Sequence, residues 1–175
     1  MIIQNLNLRH FRNHLCSNFL FSPGLNVIVG PNGIGKTNIA EAIYYLSIAR
    51  SFKNVDDVDL IMKQKEYVEI DSDVFEGELK RHIHILIAEK GRSVYINGKK
   101  VSKLSELSNC MNVLLFEPKD VMLFRGSPKQ RRNFIDINLS KRFPLYLESI
   151  SNYEKLLSER NEILKMEEID ETLLA

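Results

Sequence analysis

The stretch LNVIVGPNGIGKTNIAEAIYYLSI, residues 25–48, decides the fold class of this chain. Its first five residues are mostly apolar and β-branched and lie between two Pro/Gly turns, which predicts a short buried parallel strand. The loop GPNGIGKT at residues 30–37 matches the pattern G-x-x-x-x-G-K-[ST] in full. Ile39, Ile43 and Leu46 then recur with helical spacing. Strand, glycine-rich loop and helix in this order indicate a phosphate-binding P-loop.

The loop contains the residue types that binding of a nucleoside triphosphate requires. Its glycines let successive backbone N–H groups converge on one anion, and the start of the helix adds partial positive charge. Lys36 is expected to reach the β and γ phosphates, and the Thr37 hydroxyl to ligate the accompanying Mg²⁺. A purely structural glycine-rich turn is the alternative, which the flanking strand and helix disfavour. The predicted site comprises Gly30, Pro31, Asn32, Gly33, Ile34, Gly35, Lys36 and Thr37.

Bulk composition is that of a globular protein. The 175 residues are 44% hydrophobic and 27% charged, which is enough chain for one domain or for one domain with a small subdomain. No apolar run approaches the ~20 residues of a membrane span, and the first residues lack the pattern of a signal peptide. Cys16 and Cys110 form no disulfide or metal-binding spacing. We therefore expect a cytoplasmic protein with two plain buried thiols.

The charge is distributed unevenly although the net charge is only +1. Residues 78–142 hold 14 basic and 6 acidic side chains, whereas the segments on either side are acidic overall. Such a local excess is expected of a surface that contacts nucleic-acid phosphates, and a merely solvated surface is the alternative, as is pairing of the two arginines with Asp136. The candidate DNA-contacting residues are Lys99, Lys100, Lys129, Arg131 and Arg132.

Two strands, at residues 1–8 and 16–21, are predicted before the P-loop strand. Small GTPases carry the loop after their first strand, so this order favours a head of the ATP-binding-cassette (ABC) type. Alternating patterns at residues 67–75, 81–88 and 93–96, with an Asn-Gly turn after the last, predict an antiparallel meander. Because this meander is antiparallel whereas the strand that carries the P-loop is predicted to be parallel, we expect a second lobe to begin near residue 65.

The remaining third of the chain is predicted to be mainly helical. An apolar strand at residues 112–116 is followed by a helix with Ser127 as N-cap and Pro128 as its first residue. A final helix begins at Pro144 and has one apolar face over more than twenty residues, as in a helix that packs against a partner. The predicted segments are residues 1–64, 65–116 and 117–175, and the unpartnered last helix indicates a fragment of a longer protein.

His82 and His84 lie two residues apart on the outward face of a predicted strand. A metal site is conceivable there, because imidazole is a common ligand. No cysteine or carboxylate close by in sequence completes such a site. Exposed strand histidines are therefore the favoured interpretation.

Several motifs together resemble the bacterial RecF family. They are FRN at residues 11–13, GPNGIGKTN at 30–38, ARS at 49–51, INGKKV at 96–101, LFEPKD at 115–120 and GSPKQRRNFID at 126–136. The last block is much more specific than the P-loop, which occurs in many NTPases. The run YEKLLSERNEILK at residues 153–165 is similar to the start of that family's helical arm.

The resemblance implies an ABC-type ATPase similar to the heads of SMC proteins. It implies an α/β fold with a P-loop lobe, an antiparallel meander and a second helical lobe with an arm. ATP and Mg²⁺ are the implied cofactors, with Asn38 continuing the phosphate-binding run and Arg12 in an N-terminal loop that approaches the nucleotide. The implied partners are DNA, the recombination proteins RecR and RecO, the strand-exchange protein RecA loaded at gaps, and a second copy in an ATP-dependent dimer.

The catalytic parts of such an ATPase are missing from this sequence. Hydrolysis of the ABC type needs Walker B carboxylates and a signature loop from the opposite subunit. Residues 113–117 end in Glu117 followed by Pro118, which is a poor match to Walker B. We therefore expect nucleotide binding with negligible turnover. The alternatives are the head of an SMC-like structural ATPase, a small kinase or GTPase, and a DNA-binding module without enzymatic activity.

Overall fold

A single antiparallel sheet organises the first hundred residues in the computed structural model, which describes residues 1–53, 55–118, 120 and 127–165. The sheet order is β3-β2-β4-β5-β6-β7, and β1 pairs with β4 beside it. The strands are β1 (Ile2–Ile3), β2 (Asn5–Phe11), β3 (His14–Leu20), β4 (Tyr67–Glu76), β5 (Leu79–Ala88), β6 (Gly91–Ile96) and β7 (Lys99–Lys100).

The predicted meander is confirmed, but it is not a separate lobe. Strand β4 pairs on one side with β5, from Tyr67 opposite Ala88 to Glu76 opposite Leu79, and on the other side with β2. The two strands before the P-loop and the meander therefore share one sheet. The chain divides instead between Leu115 and Phe116, into the units Met1–Leu115 and Phe116–Ala175. The predicted boundary near residue 65 is wrong because alternation within a strand does not reveal its partner.

The P-loop helix α1 (Lys36–Ile48) contributes its apolar face to the core that lines the inner side of this sheet. Strand alternation directs every second side chain inward, and helical spacing directs Ile39, Ala42 and Leu46 toward them. A short 3₁₀ helix (Asp57–Leu60) and helix α2 (Ser105–Cys110) complete the unit. Cys110 is buried as expected, but the same expectation is wrong for Cys16, which is exposed on the edge strand β3. The inward strand residues are Leu6, Leu8, Val68, Ile70, Val74, Ile83, Ile85, Ile87 and Val94.

Two segments predicted as strands form no strand, and their side chains are exposed at residues 25–29 and at every second residue of 112–116. Residues 25–29 form no strand, and the exposed fractions of Val27 and Val29 are 71% and 83%. Residues 112–116 likewise form no strand, with Leu114 86% exposed. Their composition is that of central strands, but a strand is buried only when neighbouring strands cover it. Within the described part of the chain, neither segment is assigned such a neighbour.

The second unit contains a pair of helices, α3 (Pro128–Arg142) and α4 (Pro144–Ile163). The prediction for the start of α3 is confirmed: Ser127 is the N-cap, Pro128 is the first helical residue, and Ser127 and Gln130 form a reciprocal capping box. Tyr146 donates to Asp136 across the two helices at 2.6 Å. Among the helices of the described residues, none is long and apolar enough to cross a bilayer.

Candidate functional site

The glycine-rich loop ends directly at the first residue of α1. Gly35 is the N-cap of the helix in a left-handed conformation, with φ of 109°, and its carbonyl accepts from the backbone N–H groups of Asn38 and Ile39. Gly33 also has a positive φ, of 86°. Only glycine adopts such backbone angles without strain. The first N–H groups of a helix have no partner within it, so this helix start offers donors to an anion.

Lys36 is folded back onto its own loop. Its Nζ donates to the carbonyl oxygens of Gly30 and Pro31, at 2.6 and 2.7 Å. The ammonium group therefore lies over the loop, in reach of an anion bound there. A phosphate that binds in the loop replaces neutral carbonyl acceptors with charged oxygens, which form stronger hydrogen bonds.

Thr37 lies in the first turn of α1 with its side chain exposed. Pro31, Asn32, Gly33 and Ile34 are exposed as well, so the predicted loop is open to solvent along most of its length. Asn38 is half-buried and donates from Nδ2 to Asn13 Oδ1 at 2.9 Å. The structure thus brings the whole predicted run together at the start of one helix.

Arg12 is held by a buried carboxylate instead of pointing freely at the loop. Its Nη2 lies 2.7 Å from Glu41 Oε1, its Nε donates to Oε2 at 3.1 Å, and its Nη1 donates to the Asp59 carbonyl at 2.8 Å. The guanidinium of Arg12 is therefore already engaged. A direct contact between Arg12 and the nucleotide stays a prediction.

Glu41 is the centre of a charged cluster inside the first unit. Its side chain is 0% exposed and also accepts from Lys53 Nζ at 2.8 Å and from the Ser51 hydroxyl. Burial alone would raise the pKa of Glu41, but the hydrogen bonds from Arg12, Lys53 and Ser51 outweigh it and lower the pKa below the usual range. Lys53 also donates to Asn38 at 2.9 Å, which links the cluster to the loop.

The candidate DNA-contacting residues fall into two groups on different units. Lys99 and Lys100 form the short edge strand β7 and are both exposed. Lys129, Arg131 and Arg132 lie in the first turns of α3 and are exposed too. Asp136, which sequence spacing offered as a partner for the two arginines, accepts from the hydroxyl of Tyr146.

The surroundings of His82 differ from the sequence expectation. Carboxylates do lie beside it, because β4 pairs with β5: Nε2 is 2.9 Å from Asp71 Oδ2 and Nδ1 is 3.0 Å from Asp73 Oδ1. These neighbours are distant in sequence, which is why the pattern missed them. Among the described residues, no group of three or more His, Cys, Asp or Glu is arranged to hold a metal ion.

A cavity of about 510 Å³ lies away from the loop. Its walls include Ile2, Phe21, Ile28, Ile43 and Met111. Residues 25, 26 and 28 line it together with residues 111–113, and none of the predicted phosphate-binding residues does so. The predicted phosphate-binding loop is therefore not part of this cavity.

The loop, the helix that follows it and Lys36 define a P-loop nucleotide-binding protein. The model of the RecF/RecN/SMC N terminal domain matches residues 2–158, and the chain belongs to that family. The chain is 43% identical over 165 residues to the DNA replication and repair protein RecF of Streptococcus equi subsp. zooepidemicus, a match that covers 94% of this chain and 45% of the relative.

Solved structures agree with this assignment. The structure of the recombination mediator protein RecF-ATP in the RecFOR pathway superposes with a TM-score of 0.90 at 26% identity, covering 98% of this chain and 48% of that chain. The SMC head domain from Thermotoga maritima has a TM-score of 0.53 at 23% identity, covering 64% of this chain and 43% of that one, and shows the fold alone. The RecF resemblance is confirmed, and the SMC-like alternative is less well supported.

The chain spans about half the length of the curated relatives it matches. Sequence analysis also missed residues that surround the loop, namely Asn13, His14, Glu41 and Lys53. One signal was present for Glu41: it lies four residues before the buried Tyr45, so helical spacing places it on a face that enters the core. Asn13 belongs to the FRN motif at residues 11–13, but neither that motif nor the sequence around His14 indicated contacts with the loop, because those contacts span about twenty residues.

Proposed function

We propose that this chain is the nucleotide-binding part of a RecF-like recombination mediator and that it binds ATP with Mg²⁺ at residues 30–38. The observation that carries the proposal is the loop itself, with a glycine N-cap, an open helix start and Lys36 lying over the loop carbonyls. Backbone N–H groups would hold the phosphates, Lys36 would bridge the β and γ phosphates, and the exposed Thr37 hydroxyl would complete the Mg²⁺ shell.

We propose that this chain hydrolyses ATP poorly when it acts alone. Hydrolysis by ABC-type enzymes requires carboxylates that order Mg²⁺ and water, together with a signature loop from a second subunit. Those motifs are absent from this sequence, and the chain spans 45% of the relative named above. The exposed residues 25–29, together with Leu114 and Phe116 in the unpaired segment 112–116, support an incomplete sheet that further strands of a full-length protein would cover. The intact protein would then be a weak DNA-dependent ATPase.

We propose that the intact protein binds DNA in an ATP-dependent way, forms a dimer around nucleotide, and acts in the cytoplasm with RecR and RecO to load RecA at gaps. Family membership supports this role, and the solved neighbour is itself a recombination mediator of the RecFOR pathway. The exposed lysines of β7 and the basic start of α3 are suited to phosphate contact.

Titration of a fluorescent ATP analogue with Mg²⁺, with phosphate release recorded in the same samples, tests the nucleotide site. Wild type is compared with Lys36→Ala and with Lys63→Ala, which removes an exposed lysine remote in sequence from the loop. We expect binding by wild type and Lys63→Ala, at least tenfold weaker binding by Lys36→Ala, and no release above background. Binding that does not depend on Lys36 would overturn the proposed site, and Lys36-dependent release would show that a catalytic carboxylate lies within this chain.

A further inference from the structure

Arg12 and Asn13, which form the turn between β2 and β3, and His14, the first residue of β3, touch the nucleotide-binding loop and its helix through each of their side chains. Arg12 binds Glu41 of α1, Asn13 donates from Nδ2 to the Gly33 carbonyl at 3.3 Å, and His14 Nε2 lies 3.4 Å from the Gly35 carbonyl. We propose that this turn presets the conformation of the loop, with Asn13 as the principal positioning residue and Glu41 as the anchor of the turn. The inference rests on the proposed nucleotide site.

The contact of Asn13 with Gly33 sets the direction of a peptide group. In a planar trans peptide, the C=O of one residue and the N–H of the next point in opposite directions. When the Gly33 carbonyl points toward Asn13, the N–H of Ile34 therefore points away from the turn, toward the open side of the loop. Asn13 thus orients a phosphate donor without touching the phosphate.

The amide of Asn13 is itself held in one orientation. Asn38 donates to Asn13 Oδ1 at 2.9 Å, so the opposite end of the Asn13 amide, Nδ2, faces Gly33. Asn38 in turn accepts from Lys53, which is bound to Glu41. A chain of hydrogen bonds therefore runs from the buried carboxylate to the loop carbonyl.

His14 packs where the loop has no room for a side chain. It is buried, its Nδ1 lies 3.0 Å from Ser17 Oγ, and its ring meets Phe19 edge to face. A Cβ atom added to Gly35 would lie 2.6 Å from His14 Nε2 and 2.7 Å from Asn13 Oδ1. Because the Gly35 carbonyl already accepts two bonds from the helix backbone, His14 contributes chiefly by packing.

Glu41, the anchor, holds the turn in place through Arg12. Arg12 has a positive φ of 54°, an uncommon conformation for a residue with a side chain. Its guanidinium is held by Glu41 and by the Asp59 carbonyl. These charged hydrogen bonds compensate the backbone strain and hold Asn13 and His14 against the loop.

The test compares Asn13→Ala with Asn18→Ala. Asn18 is a matched asparagine in the same hairpin, and its side chain donates to Asn7 on the paired strand β2. Affinities for Mg-ATP and Mg-ADP are measured by titration, and hydrogen exchange of residues 30–37 is measured without nucleotide. We expect Asn13→Ala to weaken the binding of both nucleotides about fivefold, which is the effect of one or two modest hydrogen bonds. The ratio of the affinities for ATP and ADP should stay unchanged. Exchange in residues 30–37 should accelerate while exchange in β4 and β5 stays as in wild type.

Each other outcome contradicts the inference in a different way. Exchange and affinity equal to those of Asn18→Ala would show that Asn13 does not preset the loop. A loss confined to ATP would make Asn13 a γ-phosphate ligand instead of a positioning residue. If wild type binds neither nucleotide, the proposed function fails, yet loop exchange in the two variants still decides the inference. Should Asn13→Ala not fold, Asn38→Ala removes the amide that orients Asn13, and hydrogen exchange of residues 30–37 without nucleotide then gives the comparison, because it does not depend on a contact between Asn38 and a phosphate.

Discussion

Arg12 and Glu41 form a bidentate ion pair between the β2–β3 turn and helix α1. Nη2 lies 2.7 Å from Oε1 and Nε lies 3.1 Å from Oε2, with the Glu41 side chain fully buried. Paired hydrogen bonds of this kind fix the relative orientation of two groups as well as their distance. The pair therefore couples the helix that begins at the nucleotide-binding loop to the turn that packs against the same loop.

Glu41→Gln is expected to destabilise the first unit by about 3 kcal/mol at neutral pH, because it leaves Arg12 and Lys53 without their buried counter-ion. Since the pKa of Glu41 is lowered in the folded state, its contribution is present above the unfolded value of 4.5 and is lost as the pH falls through the lower folded value. Urea unfolding at pH 7 and at pH 3.5 measures both effects.

Glu69→Gln is the control for this experiment. Glu69 pairs with Arg9 at 3.6 Å on the exposed face of the sheet, so its replacement should cost less than about 1 kcal/mol. A difference between wild type and Glu41→Gln that stays constant from pH 7 to pH 3.5 would contradict the assignment of an ionised Glu41.

Gly35→Ala is expected to lower the free energy of unfolding more than Gly33→Ala. Both glycines have positive φ, which costs an alanine about 1 kcal/mol. A Cβ at Gly33 meets nothing within 4 Å, whereas one at Gly35 collides with His14 and Asn13. Chemical denaturation of the two variants therefore distinguishes the cost of backbone strain from the cost of displacing the β2–β3 turn. Equal losses in the free energy of unfolding would show that displacing the turn costs nothing.

Ser127→Ala is expected to loosen the start of α3. The Ser127 hydroxyl accepts from the Gln130 N–H and the Gln130 side chain accepts from the Ser127 N–H, a capping box whose loss costs about 1 kcal/mol. Amide hydrogen exchange in residues 129–131 should accelerate about fivefold, which corresponds to that free energy. Ser149→Ala is the control, since the Ser149 hydroxyl donates to the Leu145 carbonyl within α4. Equal exchange in both variants would exclude a role for the cap.

Replacing Lys99 and Lys100 together by alanine is expected to weaken binding of duplex DNA and to flatten its salt dependence. Each lost phosphate contact lowers the slope of log K against log salt by about 0.9, so the double variant should lose about two units. Fluorescence anisotropy between about 50 and 200 mM salt measures the slope. Lys63→Ala is the control. An unchanged slope in the double variant would show that β7 does not contact DNA.

The P-loop helix, the meander and the cap of α3 were predictable because each depends on residues close together in sequence. Glycine and lysine spacing identifies the loop at residues 30–37, two-residue alternation identifies β4 and β5, and Ser127-Pro128 identifies a helix start. These patterns reflect local sterics and local hydrogen bonding, which short segments carry by themselves.

Other features depended on contacts between residues far apart in sequence. The exposure of residues 25–29 could not be read from their apolar composition, because composition indicates that a strand needs partners but not whether they are present. In the same way, His82 gained its two carboxylate neighbours only through the pairing of β4 with β5.

The sequence by itself determined the class of protein, the phosphate-binding loop and its family, since these depend on local spacing and on motifs. Only the tertiary structure decided that one sheet joins the N-terminal strands to the meander, that Glu41 is buried between Arg12 and Lys53, and that Asn13 faces the Gly33 carbonyl. The physical reason is that burial and hydrogen-bond direction arise from the whole fold, where chain segments twenty to seventy residues apart come into contact.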